Sequence, residues 1–309
     1  MCARREPPRR GIALLLAVAI TSVVGLCALA LWRTSAGSSR ALVLERARTR
    51  AEGLASDGMS RALQQVSIGA WRALTLPGAH MSIDSTHTGR GHWRATLGRP
   101  TWSALLLRVR SETASGARSV RAQRDERILI PLLAPIEIPA AALTGDRPWL
   151  VPSGATVEVP PATPQERACR RNIVPVVKRT ATRGSAPPHD VLVALDADTI
   201  TRPLVGSFRL TKATLTSPLR VTGMVVLDSD LVIAADLQLS GVLFVRGSIH
   251  PAGGQLDVTG AVVAGDSLGG HSGLGTGDRV RYDACAIRRA VDLVTRPAPS
   301  ATWTRMSLF

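Results

Sequence analysis

The chain has 309 residues, 45% of them hydrophobic and only 3% aromatic, and a formal net charge of +15 at pH 7. That length leaves room for more than one small domain. Every basic residue except Lys178 and Lys212 is arginine, and the arginines are scattered rather than run together. The excess therefore does not mark a nucleic-acid-binding arm, and direct nucleic-acid binding is not expected.

The first element is apolar. Gly11 to Trp32 carries no charge, and at 1.5 Å per residue it makes about 33 Å of helix, close to the roughly 30 Å of a hydrocarbon core. Arg4, Arg5, Arg9 and Arg10 precede it against one acid, Glu6. This charge bias predicts a cytoplasmic N-terminus and an exported remainder. The competing reading is an ordinary secretory signal peptide cut after Ala28 and Ala30 to leave Leu31. Leu26 before Cys27 excludes a lipoprotein site.

From Arg40 to Val66 the residues Leu44, Ala47, Ala51, Leu54, Ala55, Gly58, Ala62 and Val66 recur at helical spacing. The stripe is built of small side chains, so a sheet or helix can approach closely. A span followed without a break by an amphipathic helix favours an anchor over a cleaved signal.

Arg10-Gly11-Ile12-Ala13-Leu14-Leu15-Leu16, followed by Ala-Leu-Trp-Arg-Thr and Arg-Ala-Glu-Gly, resembles the N-terminal region of PilX-like type IV pilus assembly proteins, a minor pilin family. The resemblance implies a class III, prepilin-like leader. A prepilin peptidase would cut after Gly11, leaving Ile12 as the new terminus with the apolar helix attached. Major pilins carry glutamate at the fifth position after the cut, where this chain has Leu16. PilX-like proteins and the K-type pseudopilin of type II secretion commonly lack that glutamate. The resemblance implies partners among other pilins or pseudopilins, the assembly platform and the inner membrane.

Cys169 and Cys285 both lie in the exported part and read as a candidate disulfide, the alternative being two unpaired buried thiols. No Cys/His spacing suggests zinc, and His80, His87 and His92 are irregularly spaced. No metal or other cofactor is expected.

Between 67 and 131, Pro77-Gly78 marks a turn. Strands are predicted over His92–Leu97, over Trp102–Thr113 with Leu105, Leu107 and Val109 alternating, and over Ala117–Leu132 after the Ser115-Gly116 turn. Three strands with short turns after a long helix predict a small antiparallel, pilin-like sheet. The stretch 132–199 is proline-rich and reads as a surface connector tied down at Cys169, with Gly154–Val159 as an isolated strand.

The strongest internal signal lies in 200–282. Val205-Gly206-Ser207-Phe208, Thr222-Gly223-Met224-Val225, Ser240-Gly241-Val242-Leu243 and Thr259-Gly260-Ala261-Val262 align on glycines 17, 18 and 19 residues apart. Polar corners follow at Asp228-Ser229-Asp230, Arg246-Gly247-Ser248 and Gly265-Asp266-Ser267. A fixed period of strand, corner and strand predicts stacked β-solenoid rungs, with Gly206, Gly223, Gly241 and Gly260 at the corners. An irregular β-sandwich is the alternative. The pairs Asp196/Asp198 and Asp228/Asp230 are expected to stabilise turns. Gly269–Asp278 matches no phosphate-binding pattern and reads as a flexible loop. In 283–309, Cys285, Ile287, Ala290, Val291 and Val294 fall at helical spacing and predict a helix capping the solenoid. Arg281–Ala290 also resembles the C-terminal region of PilX-type proteins.

The chain is thus expected to be α+β and mainly β outside the membrane. Its parts are a basic leader (1–11), a long transmembrane and amphipathic helix (12–66), a pilin-like sheet (67–131), a connector (132–199), a β-solenoid (200–282) and a helix with tail (283–309). The expected role is non-catalytic pilus assembly from a single-pass inner-membrane anchor, with the ectodomain in the periplasm or on an extracellular pilus. The alternatives are a surface β-solenoid adhesin and a K-type pseudopilin.

Overall fold

The computed structural model describes residues 9–88, 91–115, 120–171, 173–180, 192–200, 202–265 and 270–308. Most of the leader, the Gly116 turn, the prolines at 187 and 188 and the Asp266-Ser267 corner lie outside the described residues.

Helix α1 runs unbroken over Arg9–Ser67, 59 residues or about 88 Å. Left-handed Gly69, at φ 89°, ends it. Its outer half is buried on one side only: Ala47, Ala51, Ala55, Met59, Ala62 and Val66 are almost wholly covered. Strands β1 (His80–Thr88), β2 (Gly91–Thr101), β3 (Ala104–Ser115) and β4 (Val120–Leu133) cover them as an antiparallel meander. The inward residues alternate as period 2 requires: Trp93, Ala95 and Leu97 on β2, Leu105, Leu107 and Val109 on β3. Small residues on the helix let the sheet come close. A Cβ on Gly58 would lie 2.7 Å from the Trp93 indole. Two buried hydroxyls use the approach, Ser111 Oγ donating to Ala51 O at 2.7 Å and Thr113 Oγ1 to Ala47 O at 3.0 Å. Unpaired, each would cost about 1–3 kcal/mol. The meander has one strand more than the sequence predicts. The extra strand is β1, whose His-Met-Ser-Ile-Asp-Ser-Thr-His is half-buried on an edge and carries no clean alternation.

The proline-rich stretch is not a mere surface connector. It supplies β5 (Ala141–Gly145), β6 (Thr156–Glu158), α2 (Pro164–Cys169) and β7 (Val176–Thr180). β8 (Val193–Leu195) and β9 (Leu204–Leu210) follow, then β10 (Thr214–Leu215), β11 (Leu219–Leu227), β12 (Leu231–Ile233), β13 (Leu237–Val245), β14 (Ile249–Pro251), β15 (Leu256–Ala264) and β16 (Arg279–Arg281). The long strands form a parallel sheet in the order β6-β16-β15-β13-β11-β9-β8, and β10-β12-β14 form a second parallel sheet. This is the solenoid. Beyond β15 the stack continues with β16 on one half and β5 on the other, so β6 and β7 extend it rather than standing isolated. Prolines at the flanks of these short strands are compatible with their edge positions.

The glycines do not occupy corners. Gly206, Gly223, Gly241 and Gly260 sit inside β9, β11, β13 and β15, in register with one another. All have positive φ, from 138° to 154°. A Cβ on Gly241 would lie 1.8 Å from Gly223 O, and one on Gly260 equally close to Gly241 O. Before the glycine, burial alternates along β11, β13 and β15, and after it every residue of those three strands is buried. The cause is α3 (Ala284–Val294), which lies across β9, β11, β13 and β15. Leu293 faces Gly223, and Ala290 faces Gly241. Three helix residues rise about 4.5 Å, nearly the 4.8 Å spacing of strands, so one helical face steps down the glycine column. The helix therefore covers the flank of the stack rather than its end. Asp283 caps it by accepting from the Cys285 and Ala286 amides.

After α3 the chain returns to the first sheet. β17 (Arg296–Pro297) and β18 (Thr304–Leu308) both pair antiparallel with β4.

Candidate functional site

Residues 14–32 of α1 stand bare. Leu14, Leu16, Ile20, Val24, Leu29 and Trp32 are all more than half exposed, and no residue of the apolar window is buried. One helix is thus long and apolar enough to cross a membrane. Gly11 and Ile12 lie in its first turns, so the expected processing bond falls within the helix. Cys27 is an exposed free thiol on the same surface.

The two lobes carried by this rod are locked together by groups the sequence reading did not single out. Arg99, 1% exposed, donates to both oxygens of Asp292 on α3, at 2.6 and 2.7 Å. It also donates to Leu74 O at 3.0 Å and Trp102 O at 3.1 Å. Two guanidinium groups lie over the Trp102 ring, Arg99 at 4.8 Å and Arg288 at 4.3 Å from its centroid. Arg288 Nε donates to Cys169 O at 2.5 Å, and burial pulls the Arg288 pKa down. Beside it Cys169 and Cys285 form a disulfide between α2 and α3. A signal for the joint was present: Arg99 continues the inward series of Trp93, Ala95 and Leu97, where an apolar residue belongs.

The remaining candidates are structural. Asp196 and Asp198 bind Lys212 Nζ at 3.0 and 2.5 Å, and Asp196 also accepts from the Asp198 amide. The bond from Lys212 holds the Asp198 carboxyl below its usual range. Asp228 lies 2.7 Å from Arg209 and 3.3 Å from Arg246, one rung to each side. Asp230 accepts from the Ser248 amide at 2.7 Å, and Asp236 from Gln255 at 3.0 Å. These carboxylates tie each rung to the next. The glycine-rich segment is fixed in place from Gly270 onward: Gly273 N donates to Ile249 O, Leu274 N to Leu150 O, and Asp278 accepts from Leu256 and Gly275. Gly269 lies outside the described residues. His87 and His92 stack across strands with centroids 5.0 Å apart, and His80 sits at the far end of β1. Among the described residues no three His, Cys, Asp or Glu side chains converge as metal ligands.

No protein-family model matches the chain, and no curated protein sequence matches it. Among solved structures it is similar to the competence-associated pilin ComZ from Thermus thermophilus, at 10% identity and a TM-score of 0.28, over 85% of this chain and 98% of that one. A score that low does not establish a common fold, and no role for this chain follows from it.

Proposed function

We propose that the chain is a non-catalytic minor pilin of the PilX-like type, an accessory of type IV pilus assembly. A prepilin peptidase removes the leader after Gly11. The helix from Ile12 then rests in the inner membrane with its N-terminus cytoplasmic, and passes into a filament among other pilins while the two β lobes are presented outside. One observation carries the reading: a single helix is bare and apolar over residues 14–32 and buried against a sheet over its outer half. A cleaved signal peptide has no reason to continue the helix that the folded domain packs on. Leu16 in place of the fifth-position glutamate suits a low-copy or tip subunit. It suits a K-type pseudopilin equally, which is the second reading.

Sequencing the N-terminus of the mature protein tests the proposal. Ile12 is the expected result. Leu31 overturns it in favour of a secreted solenoid adhesin, and Met1 overturns the processing step.

A further inference from the structure

The face of the first sheet turned away from α1 holds more positive charge than its own acids neutralise. Arg94, Arg108, Arg110, Arg121 and Arg127 alternate outward there with Glu112 and Asp125. Both acids are engaged. Asp125 binds Arg108 through both oxygens and Arg127 at 3.3 Å. Glu112 lies 3.6 Å from Arg121 and 3.8 Å from His92 Nε2. Two guanidinium groups remain without an anion. Arg110 donates to the neutral Gln123 amide oxygen at 2.9 Å. Arg94 has no ionic or hydrogen-bonding partner among the described residues. The two arginines stand directly opposite each other on β2 and β3, where like charges destabilise the pair. Ser85 lies opposite Arg94 on its other side. A depression of about 450 Å³ opens over this row, walled by the stacked rings of His87 and His92.

We propose that this depression binds a tetrahedral oxyanion, the phosphate or sulfate group of an ester, between Arg94 and Arg110 with Ser85 Oγ as a third donor. Each guanidinium presents a planar fork that matches two oxygens. Donors arriving from three strands suit an ion whose oxygens point in several directions, which a planar carboxylate does not offer. The ion also supplies the charge that the Arg94–Arg110 pair lacks. The site belongs to the sheet alone and does not depend on how the N-terminus is processed.

The test is titration calorimetry of the full chain in non-ionic maltoside micelles, with inorganic phosphate and inorganic sulfate as separate probes in chloride buffer. Saturable one-to-one binding is expected, weakened at least tenfold in the double variant R94Q/R110Q. R220Q, on the solenoid, should stay within twofold of wild type. Preference for phosphate assigns a phosphate ester, preference for sulfate a sulfate ester, and either supports the site. Flat titrations with both ions, or a double variant within twofold of wild type, overturn it. Folding is controlled by melting R94Q without anion. Relief of repulsion should leave its Tm at or above that of wild type, and a fall would overturn the charge argument.

Discussion

At the scale of single residues, backbone space decides more than side-chain chemistry. Gly241 has φ 147° and the Gly223 carbonyl against the place a Cβ would take. Neither strain nor clash can relax without parting two rungs. Gly241→Ala should therefore cost at least about 3 kcal/mol, the top of the ordinary range for a point mutation. Gly53 lies mid-helix with nothing near its missing Cβ, so Gly53→Ala should stabilise by up to about 1 kcal/mol. Urea midpoints of both variants check the contrast. Tyr282 makes a pH prediction. Burial pushes its phenol from 10.0 up to about 12 while its hydroxyl donates to Pro139 O at 3.1 Å. The fold therefore favours the protonated form, and this stability is complete below pH 10. It is lost as pH rises toward 12, by up to about 1.4 kcal/mol per unit. Tyr282→Phe should flatten that alkaline limb at a cost of about 1 kcal/mol for the lost bond. Urea unfolding between pH 8 and 12 would show it.

At the scale of elements, α3 is where the solenoid strands, α2 and Arg99 of the first sheet meet. The disulfide fixes its first turn to α2 across a sequence separation of 116, worth roughly 4–5 kcal/mol if loop entropy alone is counted. Thermal unfolding should fall when wild-type protein is reduced and should not respond to reductant in Cys169→Ala/Cys285→Ala. What could be read from the sequence follows local periodicity. The small-residue stripe of α1 and the 17-, 18- and 19-residue glycine steps are both visible without a structure, and both correspond to real packing faces. What could not be read depends on partners far along the chain. β5 and β7 look like fragments between prolines until β15 pairs with β5 and β5 in turn with β7. β18 reads as a loose tail until β4 pairs with it. The glycines announce their repeat, but that α3 would lie in their column has no local signature. Nor does one residue type reveal whether freedom of φ serves a corner or a close approach. The sheet's arginine row is legible as alternation, whereas Arg94 being left without an anion is a fact of three strands together.

At the scale of the molecule, ionic and aromatic contacts join the lobes where, among the described residues, the buried apolar clusters stay separate. One apolar cluster fills the solenoid and another lies under the first sheet. Between them stand Arg99, Asp292, Trp102 and Arg288. A buried ion pair adds little net stability, because desolvation offsets most of the attraction, but losing one partner strands the other. Arg99→Met would leave the Asp292 carboxylate, 16% exposed, without its two short bonds. It should cost about 3–5 kcal/mol. Replacing both partners, Arg99→Met with Asp292→Leu, should recover most of that, since no charge is then stranded. The loss should also fall on the coupling between lobes more than on either core. Calorimetric melting of the full chain in micelles is expected to give one transition for wild type and for the double replacement, and two for Arg99→Met as the lobes unfold separately. Trp102→Ala, which removes the ring that both guanidinium groups lie over, should separate the transitions in the same way. A single transition in all four proteins would mean that the covalent path through α3 and β17, rather than the arginine–tryptophan joint, makes the two lobes one cooperative body.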